Sequence, residues 1–327
     1  MLSLTTRAAM PADVGSFKGL LPDRWREGNN RRSVVATDQA GRVLGHCRGI
    51  DNDYHPGSRM AVIVIAADEH RGPASWADVA DALVEAQLGV STLPLHLKVK
   101  AHEPELIDMC ARHGGVAIQL MPPWRYVVDT RMRSWAETHH LTSDGLAADV
   151  AGDLRPEEML DLYVEHYTAQ HASWSPAADP ATLRAKNTPD FVPGAAGAFD
   201  PARSTVLIRS GRIAAQGLAW PSDDDGGVEI SLHSTPYQGP TAREDMEACL
   251  AAVIDRSGDG DVLLVDSHVS ESLETAMMGA VPDPPPHPAE TWTAIVALPV
   301  PGGPAPKPLY LRHVPEAATP FIDLIRG

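Results

Sequence analysis

Cysteine is scarce in this chain: three residues in 327, Cys47, Cys110 and Cys249. An odd number without C-x-x-C spacing gives neither a disulfide framework nor a structural zinc site, so each reads as a small buried hydrophobe. Positive charge is short as well, with 27 Lys and Arg against 43 Asp and Glu and a net charge of −16. Such a field repels phosphate backbones and anionic lipid at long range and concentrates cationic amines. Neither nucleic acid nor a membrane surface is an expected partner. No run of about 18 apolar residues occurs, and the opening Met-Leu-Ser-Leu-Thr-Thr-Arg lacks the apolar core of a signal peptide, so a cytoplasmic protein is expected. The 14 histidines show no H-E-x-x-H or comparable spacing, and no metal is expected.

Hydrophobic residues make up 43% of the chain and charged residues 21%, the balance of a folded globular protein. At 327 residues two cores are the natural arrangement.

The chain also repeats itself. Residues 34–36 followed by Gly41-Arg42-Val43-Leu44-Gly45 recur as residues 206–208 followed by Gly211-Arg212-Ile213-Ala214-Ala215. The run 60–66, then His70-Arg71-Gly72-Pro73-Ala74, recurs as 228–232, then Tyr237-Gln238-Gly239-Pro240-Thr241. An amphipathic helix follows each, marked by Trp76, Val79, Ala80, Leu83, Val84 and Gln87 in the first copy and by Met246, Cys249, Leu250, Val253 and Ile254 in the second. Buried strands at 95–100 and 262–267 lead to His102 and His268, and short helices follow at 105–113 and 271–278. The offset stays near a period of about 167 residues, too long for a solenoid.

Each copy therefore reads as strand, helix, three strands, helix, strand, helix and a final strand pair. The final pairs fall at 116–120 with 126–129 and at 293–298 with 309–313. The first helix of the second copy is well marked: Pro156 suits a first turn, Glu157 and Glu158 complement the dipole, and Leu160, Val164, Tyr167 and His171 share a face. Its counterpart in the first copy spans about 11–21. The expected domains are 1–140 and 141–327, with Pro- and Gly-rich loops at 188–202, 281–289 and 299–308.

This order of elements resembles the GNAT superfamily of acyl-CoA N-acyltransferases, across nearly the whole chain. The resemblance implies an α/β (α+β) fold of two tandem GNAT-type domains, each a mixed, mostly antiparallel twisted sheet flanked by helices. In that family one strand splays from its neighbour, and a Q/R-x-x-G-x-G/A loop opens a helix whose N–H groups hold the CoA pyrophosphate, the usual anion site at a helix N-terminus. Laid on that motif, the first copy reads Arg71-Gly72-Pro73-Ala74-Ser75-Trp76, with bulky Trp76 in a small position. The second reads Gln238-Gly239-Pro240-Thr241-Ala242-Arg243, with Thr241 and Arg243 in small positions, where a hydroxyl and a guanidinium suit phosphate. The resemblance implies acyl-CoA or acetyl-CoA as co-substrate, held by Leu232, Ser234, Gln238, Gly239, Thr241, Ala242 and Arg243.

Acyl transfer to an amine needs a base for the ammonium, donors for the oxyanion and an acid for the leaving thiolate. The strand Val228-Glu229-Ile230-Ser231-Leu232-His233 places Glu229, Ser231 and His233 on one face. Glu229 or His233 is the expected base, against the alternative of a half-exposed strand with a solvated face. The matching first-copy strand has no ionisable group, so the first copy reads as degenerate. His166, His171 and Trp174 lie on the helix and loop that cover the acceptor in the family and are expected to bind substrate; His268, beside Asp266 and Ser267, is a further candidate. Met277, Met278 and Phe191 line an acyl tunnel or belong to the core.

The resemblance implies an N-acyltransferase acting on a small-molecule amine by direct transfer, a monomer or homodimer. Tandem copies with one degenerate half resemble enzymes of antibiotic and other specialised metabolism, and in particular the N-acyltransferases of teicoplanin-type glycopeptides, whose acceptor is an amino sugar. The alternative is a non-catalytic CoA-binding or interaction module.

Overall fold

The structure is a computed structural model that describes residues 4–17, 20, 31–150, 155–221, 227–282 and 291–325. In chain order its elements are β1 (Thr5–Ala8), β2 (Arg31–Thr37), β3 (Val43–Asp51), β4 (Arg59–Ile65), α1 (Asp68–Arg71), α2 (Trp76–Val90), β5 (Leu95–Lys100), α3 (Pro104–Arg112) and β6 (Val116–Met121). There follow β7 (Trp124–Val127), α4 (Thr130–His139), β8 (Asp149–Val150), α5 (Pro156–His171), α6 (Pro180–Asn187), β9 (Thr205–Arg209), β10 (Arg212–Pro221) and β11 (Val228–Ser234). The last are α7 (Ala242–Arg256), β12 (Val262–Val265), α8 (Ser272–Met278), β13 (Thr293–Leu298) and α9 (Ile322–Ile325).

The chain forms a mixed α/β structure with two sheets. One has seven strands in the order β1-β2-β3-β4-β5-β13-β6, and the other six in the order β7-β12-β11-β10-β9-β8. The hairpins β2–β3–β4 and β9–β10–β11 are antiparallel, and each sheet contains a parallel pair, β4–β5 in the first and β11–β12 in the second. Two compact units result: Met1–Leu120 with Trp174–Pro176 and Thr291–Gly327, and Met121–Ser173 with Ala177–Glu290.

These units differ from the halves 1–140 and 141–327 in three segments, the short one being Trp174–Pro176, which belongs to the first unit. β7 and α4 belong to the second unit, and β13 lies between β5 and β6 of the first. Similar element order along the chain thus does not dictate which sheet a terminal strand joins, because pairing is a tertiary choice.

In the first unit α2 begins with Ser75, whose side chain accepts from Asp78 N–H in a capping box, and buries Val79, Ala80, Leu83, Val84 and Gln87. Gly45 of β3 lets this helix approach: a Cβ there would stand 3.1 Å from both Leu83 Cδ1 and Val79 Cγ1. In the second unit α7 lies against β10 with Gly217 at the crossing, where a Cβ would stand 3.3 Å from Val253 Cγ2. Below it Ile230, Leu232, Met246, Leu250, Leu263, Met277 and Met278 belong to one apolar cluster with Met132 and Trp135 of α4.

Several expectations are corrected. Residues 309–313 form no strand; Leu309 N–H makes a 2.7 Å bond to Ala117 C=O, but Pro308 interrupts the donor ladder a strand requires. The expected helix at 11–21 is a 3₁₀ turn at Pro11–Asp13, and its end falls partly outside the described residues. Helices α4 and α6 stand where no element was expected. The loop 281–289 lies mostly outside the described residues. Among the described residues no helix is long and apolar enough to cross a membrane.

Candidate functional site

The parallel pairs open into clefts. β11 pairs with β12 at Val228, Glu229 and Ile230, and then runs on to Ser234 while β12 stops at Val265. In the first unit β4 and β5 pair at Arg59 and Met60 alone, and the rest of β4 continues without that neighbour. Each divergence turns main-chain N–H and C=O groups of the longer strand toward a gap that some partner must fill.

In the second unit His166 of α5 fills it. Ser234 N–H lies 3.1 Å and Ser234 C=O 3.3 Å from His166 Nδ1, so that nitrogen accepts from one or donates to the other. Pro156 opens α5 and Glu158 in its first turn accepts Ile213 N–H at 2.8 Å, which fixes the helix beside β10. With the helix so placed, Met159, Leu162 and His166 form one buried face at helical spacing.

Around His166 the polar groups are packed tightly. His166 Nε2 lies 3.4 Å from Glu271 Oε1, and Glu271 Oε2 accepts the N–H of His268 at 2.8 Å while standing 3.4 Å from His268 Nδ1. Glu274 joins them, with one ligand atom each of His166, Glu271 and Glu274 within 4.8 Å of one another. The rings of His233 and Tyr237 meet His166 edge-on at 5.1 and 4.9 Å. Burial alone would raise the carboxyl of Glu271, but the contacts with His166 and His268 outweigh it and hold the group below the usual carboxylate range. Burial and then the charge of Glu271 push Glu274 well above that range. Tyr237 is raised to about 12, first by burial and then by Glu271. The centre is therefore a buried anion flanked by imidazoles and a second carboxyl that resists ionisation.

No protein-family model matches the chain, and no curated protein matches it. Its structural neighbours are GCN5-related N-acetyltransferases. One from Sphaerobacter thermophilus is 10% identical, with a TM-score of 0.48 over 90% of this chain and 94% of its own. One from Anabaena variabilis is 14% identical, with a TM-score of 0.48 over 91% of this chain and 73% of its own. A spermidine N-acetyltransferase from Vibrio cholerae, in complex with CoA and spermine, is 22% identical, with a TM-score of 0.27 over 35% of this chain and 81% of its own.

The residues expected at a GNAT-type site fall into three places. Glu229, Ser231 and His233 do share a face of β11, the one turned toward Tyr163 and His166. Along it Glu229 is exposed and His233 is buried, four positions apart or roughly 13 Å of strand. Gln216 Nε2 donates to Met159 C=O at 3.1 Å and lies 3.2 Å from His233 Nδ1. An amide nitrogen can only donate, so His233 Nδ1 accepts and its proton sits on Nε2. Burial, with His166 beside it, drives the His233 pKa well below its ordinary value and keeps the ring neutral.

The loop after β11 passes a cis Thr235–Pro236 bond to Gln238, which has a φ of 52°. Gly239 N–H donates to Pro236 C=O at 2.9 Å and Ala242 N–H to Gly239 C=O at 3.1 Å, so these two amides are used within the turn. The Gln238 side chain reaches Ser270 C=O at 3.4 Å and accepts from Ser272 Oγ at 3.3 Å, tying the loop to the segment before α8. Thr241 caps α7 without accepting a bond from it; its hydroxyl donates to Asp245 Oδ2 at 2.8 Å. Arg209 neutralises that buried Asp245 at 2.6 Å, while Arg243 pairs with Glu247 at 2.8 Å. The first-unit loop is closed differently: Arg71 bonds Ala66 C=O at 2.8 Å and pairs with Asp68, and Asp78 lies in the first turn of α2, where its charge opposes a phosphate.

The expected acceptor residues do not stay together. His166 and His171 are buried in the second unit, the His171 ring 5.4 Å from that of His268, whereas Trp174 belongs to the first unit with its ring 6.3 Å from His55. Met277 and Met278 are core residues, and Phe191 is buried against Tyr163, Phe199 and Trp220. Sequence reasoning passed over Glu271 and Glu274. Their signal was an E-x-x-E pair at the opening of a short helix, which puts both carboxylates on one face.

Proposed function

We propose that the chain is an acyl-CoA-dependent N-acyltransferase that moves an acyl group from a CoA thioester to the amine of a small molecule. The observation that carries this reading is the divergence of β11 from β12 after Ile230, followed at once by a turn and the N-terminus of α7. A diverging parallel pair leaves a main-chain edge for an extended amide-bearing arm, and the helix N-terminus beyond it suits a diphosphate. At α7 Arg209 pairs with both first-turn acids, Asp245 at 2.6 Å and Glu244 at 3.5 Å, whereas Asp78 in the first turn of α2 is exposed, which favours the second unit for the diphosphate.

Glu229 is the proposed base, exposed on β11 beside the last paired residues, where an ammonium can reach it. His233, with its Nδ1 held by Gln216, is the positioning residue: its Nε2–H is a donor, and it serves as a base only when Gln216 lets go. The net charge of −16 favours a cationic acceptor. The core position of Met277 and Met278 supports a short acyl donor. An amino sugar of a glycopeptide or another amine of specialised metabolism, in a cytoplasmic setting, is the narrower form of this proposal.

The test is release of free CoA thiol from acetyl-CoA with polyamine, amino-sugar and glycopeptide acceptors. Turnover with at least one is expected, and Glu229→Gln should lower kcat by about 100-fold with little change in KM for acetyl-CoA. Turnover by the Gln variant at the wild-type rate would remove Glu229 from the chemistry.

A second reading is favoured by His166, which already satisfies the main chain of Ser234 at the cleft. On that reading the unit is an interaction module with the form of an acyltransferase and no turnover. Acetyl-CoA bound in calorimetry without thiol release for any acceptor would select it, and failure to bind would end the acyltransferase reading.

A further inference from the structure

The cluster beneath the β11–β12 divergence poses a question that acyl transfer does not answer. His166, Glu271 and Glu274 are 3%, 1% and 2% exposed, so all three polar side chains are removed from water. His166 Nε2, Glu271 Oε1 and Glu274 Oε1 are each buried without a hydrogen-bond partner. His166 Nε2 stands 3.4 Å from Glu271 Oε1, and one ligand atom from each of the three side chains lies within 4.8 Å of the others. A buried polar atom without a partner is costly, and two carboxylates brought together without a cation repel.

We propose that His166, Glu271 and Glu274 form a binding site for a divalent transition-metal cation. The donor set is one imidazole nitrogen and two carboxylate oxygens, which suits zinc, manganese or iron(II) rather than copper(I). The 3.4 Å between His166 Nε2 and Glu271 Oε1 is the edge of a tetrahedron whose ligands lie about 2.1 Å from a central ion. Outer contacts aim the ligands as metal sites require. In the tautomer a metal requires, Nδ1 donates to the carbonyl of Ser234 at 3.3 Å, in place of accepting the Ser234 N–H at 3.1 Å, and Nε2 keeps its lone pair. The N–H of His268 holds Glu271 Oε2 at 2.8 Å and turns Oε1 inward. Glu271 and Glu274 stand three residues apart, the spacing that places two side chains on one face. The ion would join α5, the end of β11 and the start of α8.

The alternative for such a pair is a proton shared between the two carboxyl groups, and the two arrangements answer differently to one substitution. In the full chain purified without chelator, elemental analysis should find about one equivalent of zinc, manganese or iron. Removal by dipicolinate should lower Tm by several degrees, and added Zn²⁺ or Mn²⁺ should restore it. Glu274→Gln has the shape of a protonated glutamate. It should retain at least tenfold less metal and show a Tm that no longer responds to added metal. Metal content far below one equivalent, with a Tm indifferent to Zn²⁺, Mn²⁺ and Fe²⁺, would overturn the proposal in favour of the shared proton. Because metal content is read on the wild-type chain, a variant that fails to fold leaves the test standing.

Discussion

His46 shows how a single side chain sets the acid stability of the first unit. It lies on β3, fully buried against Phe17, and among the described residues neither ring nitrogen has a hydrogen-bond partner. Burial, helped by the charge of Arg48, lowers its pKa from 6.5 to about 4. Between those values the unfolded chain takes up a proton and the folded chain does not, so stability falls as pH drops from about 6.5 to about 4. The full effect is on the order of 3 kcal/mol. His46→Leu should flatten this dependence in urea unfolding between pH 7.5 and 4.5; His96, also lowered to about 4, keeps part of it. An unchanged slope would show that His46 is already protonated in the folded chain.

At the scale of elements, the strands and the long helices were legible because their periodicity is strong. β5, β13 and α2 fall within a few residues of their expected places. What failed was quiet. Helix α6 follows Asp179 and Pro180, a cap and a first-turn residue, but eight residues offer little periodicity. Helix α4 has Asp129 accepting from Arg131 and Met132 N–H, a cap that coincides with the last residue of the expected strand at 126–129. The β11 face was legible to the residue, whereas the pairing of Glu271 and Glu274 with His166 depends on how α5 and α8 approach, which no local pattern encodes. Helix approach to the sheets rests on small residues. A Cβ on Gly45 would lie 3.0 Å from the main-chain oxygen of Val64, which cannot move aside, while on Gly217 it would meet only side chains, at 3.3 Å or more. Gly45→Ala should therefore cost about 1–3 kcal/mol in denaturant unfolding and Gly217→Ala less than about 1 kcal/mol. Equal losses would mean that the two helices do not approach their sheets as these distances require.

For the whole molecule the decisive fact is where the terminal strands go. β13 runs antiparallel to β5 along its full length, from Thr293 against Lys100 to Leu298 against Leu95, and every one of its residues beyond Thr293 is buried. It lies between β5 and β6, so a fragment of residues 1–140 carries a sheet with its interior strand missing and two unpaired edges exposed. A fragment of residues 141–327 loses less: β7 is an edge strand, although α4 takes Met132 and Trp135 from the core around α7. Expressed alone, residues 1–140 should aggregate or show no cooperative thermal transition, while residues 141–327 should keep partial helical structure with a lowered Tm. Joining residues 291–327 to the first fragment through a flexible linker should restore a cooperative transition, since it returns β13 to its place between β5 and β6. If residues 1–140 fold cooperatively without that addition, β13 is dispensable to the first sheet, and the element order of the sequence would then describe the folding units better than the strand pairing does.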